Sequence, residues 1–443
     1  MKMVKKVVLC SLLATSAALL FAQTSNTRLA TAYTFSTDVD NYLDVNNWNT
    51  VQPANMFAYS GLSSSKFDFG FAKQFKKFYL GAYYGGNLWG NNASNKTVDL
   101  TGGFNSISTT SSTNDVRVLF GVKNWGVKLT LDSEPNSSVE ETYVLNTSVP
   151  SLMDTVTTTK NDKTIISLSA GTTVKGKKEI VFTPHFGITY ENDNKSTVID
   201  ANGYIGNVQG SSTDKTNKSV STFALFGGTG IKLKDVRNVS QNVNLDFSLG
   251  FISQPSVSAS STSTTGTTTT TSSTEVSLSG NYAGFTAAYV ATITPATGFA
   301  LKAKAKLPLT LTNSHTGNTT QYTNGNGVVT QQDISVKTIT MTPTVALGVQ
   351  YAVKPDKFIL NAGLSTSFLN FTKSTTVSVV GSTSSTYTST SWGSVSTGLD
   401  FGFGYYFVKN VGLDVSMNIF SGNTTSFKDI WEKQMSFLVS VKF

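Results

Sequence analysis

The sequence predicts an all-β fold: an antiparallel, up-and-down barrel of about sixteen strands that crosses a membrane. Three observations carry the prediction. Apolar residues recur with period two over unusually long runs, the joins between runs alternate between tight and long, and no apolar stretch beyond residue 22 approaches the roughly 20 residues of a membrane helix.

The period is clearest from Phe299 to Leu311, where Phe299, Leu301, Ala303, Ala305, Leu307, Leu309 and Leu311 share one face and Lys302, Lys304 and Lys306 the other. Val243, Leu245, Phe247, Leu249 and Phe251 likewise oppose Asn244, Asp246, Ser248 and Gly250. Leu399, Phe401, Phe403, Tyr405 and Phe407 oppose Gly398, Asp400, Gly402 and Gly404, and Val411, Leu413, Val415 and Met417 oppose Gly412, Asp414 and Ser416. A soluble sandwich also alternates. Its strands, however, average only about 5 to 6 residues, whereas a tilted membrane strand needs about 9 to 11.

The joins sort into two kinds. Tight ones fall at Gln74 to Lys77, Lys123 to Gly126, Val174 to Lys178, Pro295 to Gly298, Lys354 to Asp356 and Lys409 to Asn410. Long ones fall at 91 to 113, 133 to 161, 191 to 215, 312 to 335, 372 to 393 and 422 to 432. That rhythm predicts short turns on the periplasmic side and long Ser/Thr-rich loops outside. Residues 256 to 274, almost wholly Ser and Thr, read as a low-complexity external loop. Sixteen strands result, the first at 27 to 36, the second at 64 to 73 and the last at 433 to 443. Fourteen result if residues 23 to 63 form a plug.

Residues 1–22 have the pattern of a secretory signal peptide: Lys2, Lys5 and Lys6, an apolar stretch from Val7 to Phe21, then Ala22 before the polar Gln23. Acylation of Cys10 is disfavoured by the bulky Leu9 before it. Cleavage after Ala22 lowers the formal net charge from +8 to +5, removes the single cysteine, and leaves residues 23–443 as one barrel domain without thiolate metal sites or disulfides. With only 14% charged residues, 28 Phe and 16 Tyr have to be placed, and an apolar outer surface accommodates them.

The final segment alternates Met435, Phe437, Val439, Val441 and Phe443 with mostly polar neighbours and ends on an aromatic. It resembles the C-terminal signal of bacterial outer-membrane β-barrel proteins. The resemblance is to the class, porin-like and with Ser/Thr-rich loops similar to spirochaetal ones. It implies an outer-membrane location, recognition of Phe437, Val439, Val441 and Phe443 by the barrel-assembly machinery, contact with outer-membrane lipid, and compatibility with a homo-oligomer. Aromatic girdles are expected at Phe71, Phe75, Phe78, Trp125, Phe299, Tyr351, Phe358, Tyr405, Phe407 and Phe443 near the tight turns. The other girdle would comprise Trp89, Tyr190, Phe371, Trp392 and Trp431.

Catalytic chemistry finds no support in the sequence. His185 and His315 lie far apart without Cys, Asp or Glu at metal or triad spacing, so no catalytic residue, metal, cofactor or nucleic-acid partner is expected. The glycines of Phe69-Gly70-Phe71 and of Gly227-Gly228-Thr229-Gly230 lack phosphate-loop context and are read as leaving room for water inside a barrel.

The lysine row is the strongest functional feature. Side chains two apart on a strand stand about 6.6 Å apart, and each charge on a lipid face would cost about 2–4 kcal/mol. Lys302, Lys304 and Lys306 are therefore expected to face a lumen, with Asp246, Asp400, Asp414 and Lys128 on the same kind of surface. A positive stripe guiding small solutes and an internal salt-bridge ladder fit the row equally well. The leading expectation is a porin-like channel for passive diffusion of small hydrophilic solutes. The alternatives are a hydrophobic-solute transporter with an N-terminal hatch, resembling fatty-acid transporters, and a surface adhesin anchored by its barrel.

Overall fold

The computed structural model describes residues 56–442 except 63–65, 88–90, 99–103, 112–113, 123, 147–150, 177–178, 206–207, 266–267, 324–325, 331, 355–356, 369, 381–382, 394–395, 409–410 and 419–434. The expected signal peptide, the strand expected at 27 to 36, Trp89, Trp431 and Phe443 lie outside these residues.

Among the described residues, all strand pairings are antiparallel and belong to one sheet of 23 strands. Strand β1 (Met56–Leu62) pairs with β2 (Lys66–Gln74), and β2 with β3 (Phe78–Asn87). Long hairpin strands follow: β7 (Trp125–Asn146), β8 (Ser151–Thr172), β10 (Val181–Ile205), β11 (Val208–Lys232), β12 (Val239–Thr265), β13 (Thr268–Ala296) and β14 (Phe299–Thr323). Each pairs with the next along the sheet, β9 (Val174–Lys175) adding to β10 beside β8.

Several strands continue one another end to end. β14 pairs through Leu309–Thr316 with β16 (Gln332–Met341) and through Phe299–Lys306 with β17 (Thr344–Lys354), so these two form one path interrupted at Pro343. The missing N–H of proline accounts for the break. Likewise β5 (Phe104–Ser111) and β6 (Asn114–Val122) follow each other along β7. At the far end, β22 (Val411–Asn418) pairs with β23 (Met435–Lys442), and β23 pairs with β1, from Phe57 opposite Lys442 to Leu62 opposite Phe437. The partner of the last strand is thus residues 56–62, which are sheet and not plug.

The loops expected outside the membrane differ most from the sequence reading. Residues 191 to 215 are paired from Glu191 opposite Thr222 to Ile205 opposite Val208. The Ser/Thr-rich 256 to 274 segment is also a ladder, from Val257 opposite Val276 to Thr265 opposite Thr268. Residues 372 to 393 form another, Phe371 to Val380 against Thr383 to Trp392. Thr is β-branched and suits a pleated strand, and its hydroxyls meet across the ladder, as between Thr264 and Thr269 at 3.1 Å. Low hydrophobicity removed the drive to bury these segments but left their strand propensity intact. With 29 residues, β13 reaches about 95 Å at 3.3 Å per residue, far beyond one membrane crossing.

Exposure is inverted relative to a soluble core. Phe186, Phe247, Leu249, Phe251 and Leu347 are exposed, whereas the buried apolar set is short and includes Tyr59, Tyr79, Tyr83 and Leu119. Aromatics contact one another near the tight turns: Phe75 with Phe78 at 4.5 Å, Phe299 with Tyr351 at 6.5 Å, Phe358 with Tyr405 at 6.4 Å and Tyr405 with Phe407 at 5.0 Å. Phe371 and Trp392 form a similar pair at the other end, 5.0 Å apart.

Leu347→Arg places a charge on this outward face and is expected to cost about 2–4 kcal/mol if the face meets lipid. Reversible urea unfolding in phospholipid vesicles measures it; an unchanged midpoint would place Leu347 in water.

Candidate functional site

The side of the sheet opposite the exposed apolar residues carries the polar groups, and its geometry follows from register. On β14, Lys302 and Lys304 are less exposed than Leu301, Ala303 and Ala305, which alternate with them, while Lys306 is itself exposed. Lys302 lies opposite Thr292 and Gly348, Lys304 opposite Val290 and Ala346, and Lys306 opposite Ala288 and Thr344. No carboxylate stands directly across either ladder from the three lysines. Lys302 shares its row with Asp400, reached through two glycines, Gly348 opposite Gly363 and Gly363 opposite Asp400. Asp400 is only 3% exposed, and its two carboxylate oxygens have no hydrogen-bond partner among the described residues.

The remaining predicted residues are dispersed around the sheet. Lys128 sits between Leu119 and Ser169. Asp414 pairs with Gly404 and extends its carboxylate over that glycine. Phe437, Val439 and Val441, expected to form an assembly signal, pair with Leu62, Ser60 and Ala58.

A charged group not anticipated from sequence lies on β6 to β10. Arg117 bonds both oxygens of Asp115 and stacks on Tyr83, 4.9 Å from its ring centre. Asp115 is opposite Asp132, Glu134 is opposite Lys163, and Lys163 Nζ lies 2.9 Å from Glu191 Oε1. The alternation of Asp115 and Arg117 with Val116, Val118 and Phe120 was the available signal. Glu134 and Glu191 were hidden because their segments read as loops.

Several glycines seat side chains of their own or neighbouring strands. A Cβ at Gly70 would meet the Tyr59 ring, one at Gly250 the Tyr282 ring, and one at Gly187 the Phe226 ring. Gly227 is covered by Phe247, Gly230 by Thr183 and Asn244, and Gly228 by the Asp246 carboxylate. The absent side chain at Gly228, which lies between His185 and Asp246 in the register, lets the two meet: His185 Nε2 is 3.2 Å from Asp246 Oδ1. Beside this pair lies a cavity of about 600 Å³. Among the described residues, no group of three or more His, Cys, Asp or Glu is placed to hold a metal ion.

Residues 239–421 match the family model described as outer membrane protein beta-barrel domain. The resemblance is to the bacterial outer-membrane β-barrel class. No match was found among the curated proteins. Among solved structures, the chain is similar to the Pseudomonas putida toluene transporter TodX (10% identity, 95% of this chain and 99% of that one, TM-score 0.41). It is similar to the CymD monoaromatic hydrocarbon channel (10% identity, 96% and 98%, TM-score 0.39). It is also similar to the translocator domain of the autotransporter NalP from Neisseria meningitidis (13% identity, 73% and 90%, TM-score 0.27).

Gly250→Val is expected to collide with Tyr282 and destabilise the fold by about 1–3 kcal/mol, the usual cost of overpacking. Gly210→Ala, whose added carbon would meet only Thr264 O at 3.6 Å, should stay within about 0.5 kcal/mol. Urea unfolding of the two variants side by side measures the contrast.

Proposed function

We propose that this chain is an outer-membrane channel: a sixteen-stranded barrel whose lumen passes small hydrophilic solutes by diffusion. The strand number rests on the pairing order. Among the described residues, twenty-three strands, of which seven continue another end to end, reduce to sixteen, and β23 pairs with β1. A barrel of that size is wide enough for an aqueous channel. The observation that carries the cargo reading is the polar inner face, with Lys302 and Lys304 turned away from the apolar surface and Asp246, His185 and Thr183 on the same side.

The lysine row gives the channel a preference for anions, as charged rings do in other pores. Strands β12 to β14 carry both the row and Asp246, so the lumen is mixed in sign there. The positive stripe is nevertheless flanked by uncharged residues, and it sets the local field.

A second reading is transport of hydrophobic solutes. The toluene transporter and hydrocarbon channel named above are proteins of that kind, and the inner face does present aromatic rings at Tyr59, Tyr83, Phe226 and Tyr282 over their glycines. Of the residues 23 to 63 expected to form its hatch, 56–62 belong to the sheet and the others lie outside the described residues.

Purified protein in planar bilayers should conduct in potassium chloride and favour chloride. The triple variant Lys302→Glu, Lys304→Glu, Lys306→Glu should reverse the preference, read as a change in sign of the reversal potential under a salt gradient. Absence of any current, together with accelerated toluene entry into vesicles, would overturn the hydrophilic reading in favour of the second.

A further inference from the structure

We infer that the niche beside His185 and Asp246 binds a small neutral sugar or polyol on its way through the lumen. The inference rests on the channel reading and names the solute class that this part of the wall recognises.

The cavity of about 600 Å³ falls within the roughly 300–1,000 Å³ of small-molecule sites. Thr183, His185, Phe226, Asn244, Asp246 and Thr286 line it. All six occupy inward positions of four adjacent strands, β10 to β13, so the niche is built by register and not by a loop. Glycine shapes its floor, because a side chain at Gly230 would overlap Thr183 and one at Gly284 would overlap Ser248, all four lining the cavity.

The chemistry suits hydroxyl groups. A carboxylate accepts from two hydroxyls, an Asn amide donates and accepts at once, and threonine hydroxyls do either. Asp246 is directed by its contact with His185 at 3.2 Å, yet its side chain remains 44% exposed. Thr183 Oγ1 donates to Gly230 O at 3.3 Å, which leaves its oxygen able to accept. Phe226 supplies one apolar surface for the carbon face of a ring. The lining contains one acid and a histidine beside it but no lysine or arginine, so it is not built for an anion. Anions are served by the β14 row.

The test uses full-length protein in planar bilayers with glucose as the probe. Glucose should block the potassium chloride current reversibly, and the half-blocking concentration should rise about tenfold in Asp246→Asn, the scale of one lost charge-assisted hydrogen bond. Asn244→Leu should raise it similarly, while the outward Leu249→Ala should leave it unchanged. A current that glucose blocks equally in all four proteins, or does not block at all, overturns the niche and leaves the channel standing. If no protein conducts, the channel reading fails, and equilibrium dialysis of labelled glucose against detergent-purified protein decides the niche alone. Binding that Asp246→Asn weakens supports it; no binding overturns it.

Discussion

A backbone in hydrocarbon cannot leave its N–H and C=O groups unpaired, and everything else in this molecule follows from that requirement. A sheet meets it only if each strand has a neighbour on both sides. Here residues 437–442 of the last strand pair with residues 57–62 of the first described one. Once the ladder order is fixed, period two decides the rest: odd and even positions of each strand are assigned to opposite surfaces, and one slip of register would exchange them. Phe247 and Leu249 are on one surface because Asp246 and Ser248 are on the other.

The inner surface then has a packing problem of its own, which glycine solves in two ways. Beneath Tyr59, Tyr282 and Phe226 the glycines receive an aromatic ring lying across the neighbouring strand. At Gly228 the same absence of a side chain lets His185 reach Asp246 across an intervening strand. Between Lys302 and Asp400 two glycines clear a row. Small residues of this sheet therefore determine which large or charged groups meet, Gly228 beside Asp246 and Gly230 beside Thr183 on the polar side.

The alternation of Phe299 to Leu311 was legible in sequence because both surfaces are represented in every residue pair, and Lys302 and Lys304 face as that alternation requires. The tight turn at Gly298, with φ of +80°, was legible for the same local reason. What sequence hid was nonlocal or compositional. The Ser/Thr segments read as loops because they lack an apolar face, yet adjoining strands can be held by backbone bonds and Thr contacts, as at Thr264 and Thr269, where the same strand also pairs with β11. The pairing of Lys163 with Glu191 joins strands separated by a turn, and no spacing rule within one strand reveals it. The glycine seats escaped because their occupants come from neighbouring strands.

The assignment of surfaces is tested most directly by single-cysteine substitution along residues 299 to 311 in a background lacking Cys10, with the protein reconstituted in vesicles containing nitroxide-labelled lipid. A fluorophore at positions 301, 303, 307 and 311 should be quenched by the lipid, and cysteines at 302, 304 and 306 should react with a water-soluble thiol reagent. Quenching and reactivity that do not alternate along the strand, or that alternate with the lysine positions in lipid, would contradict the account.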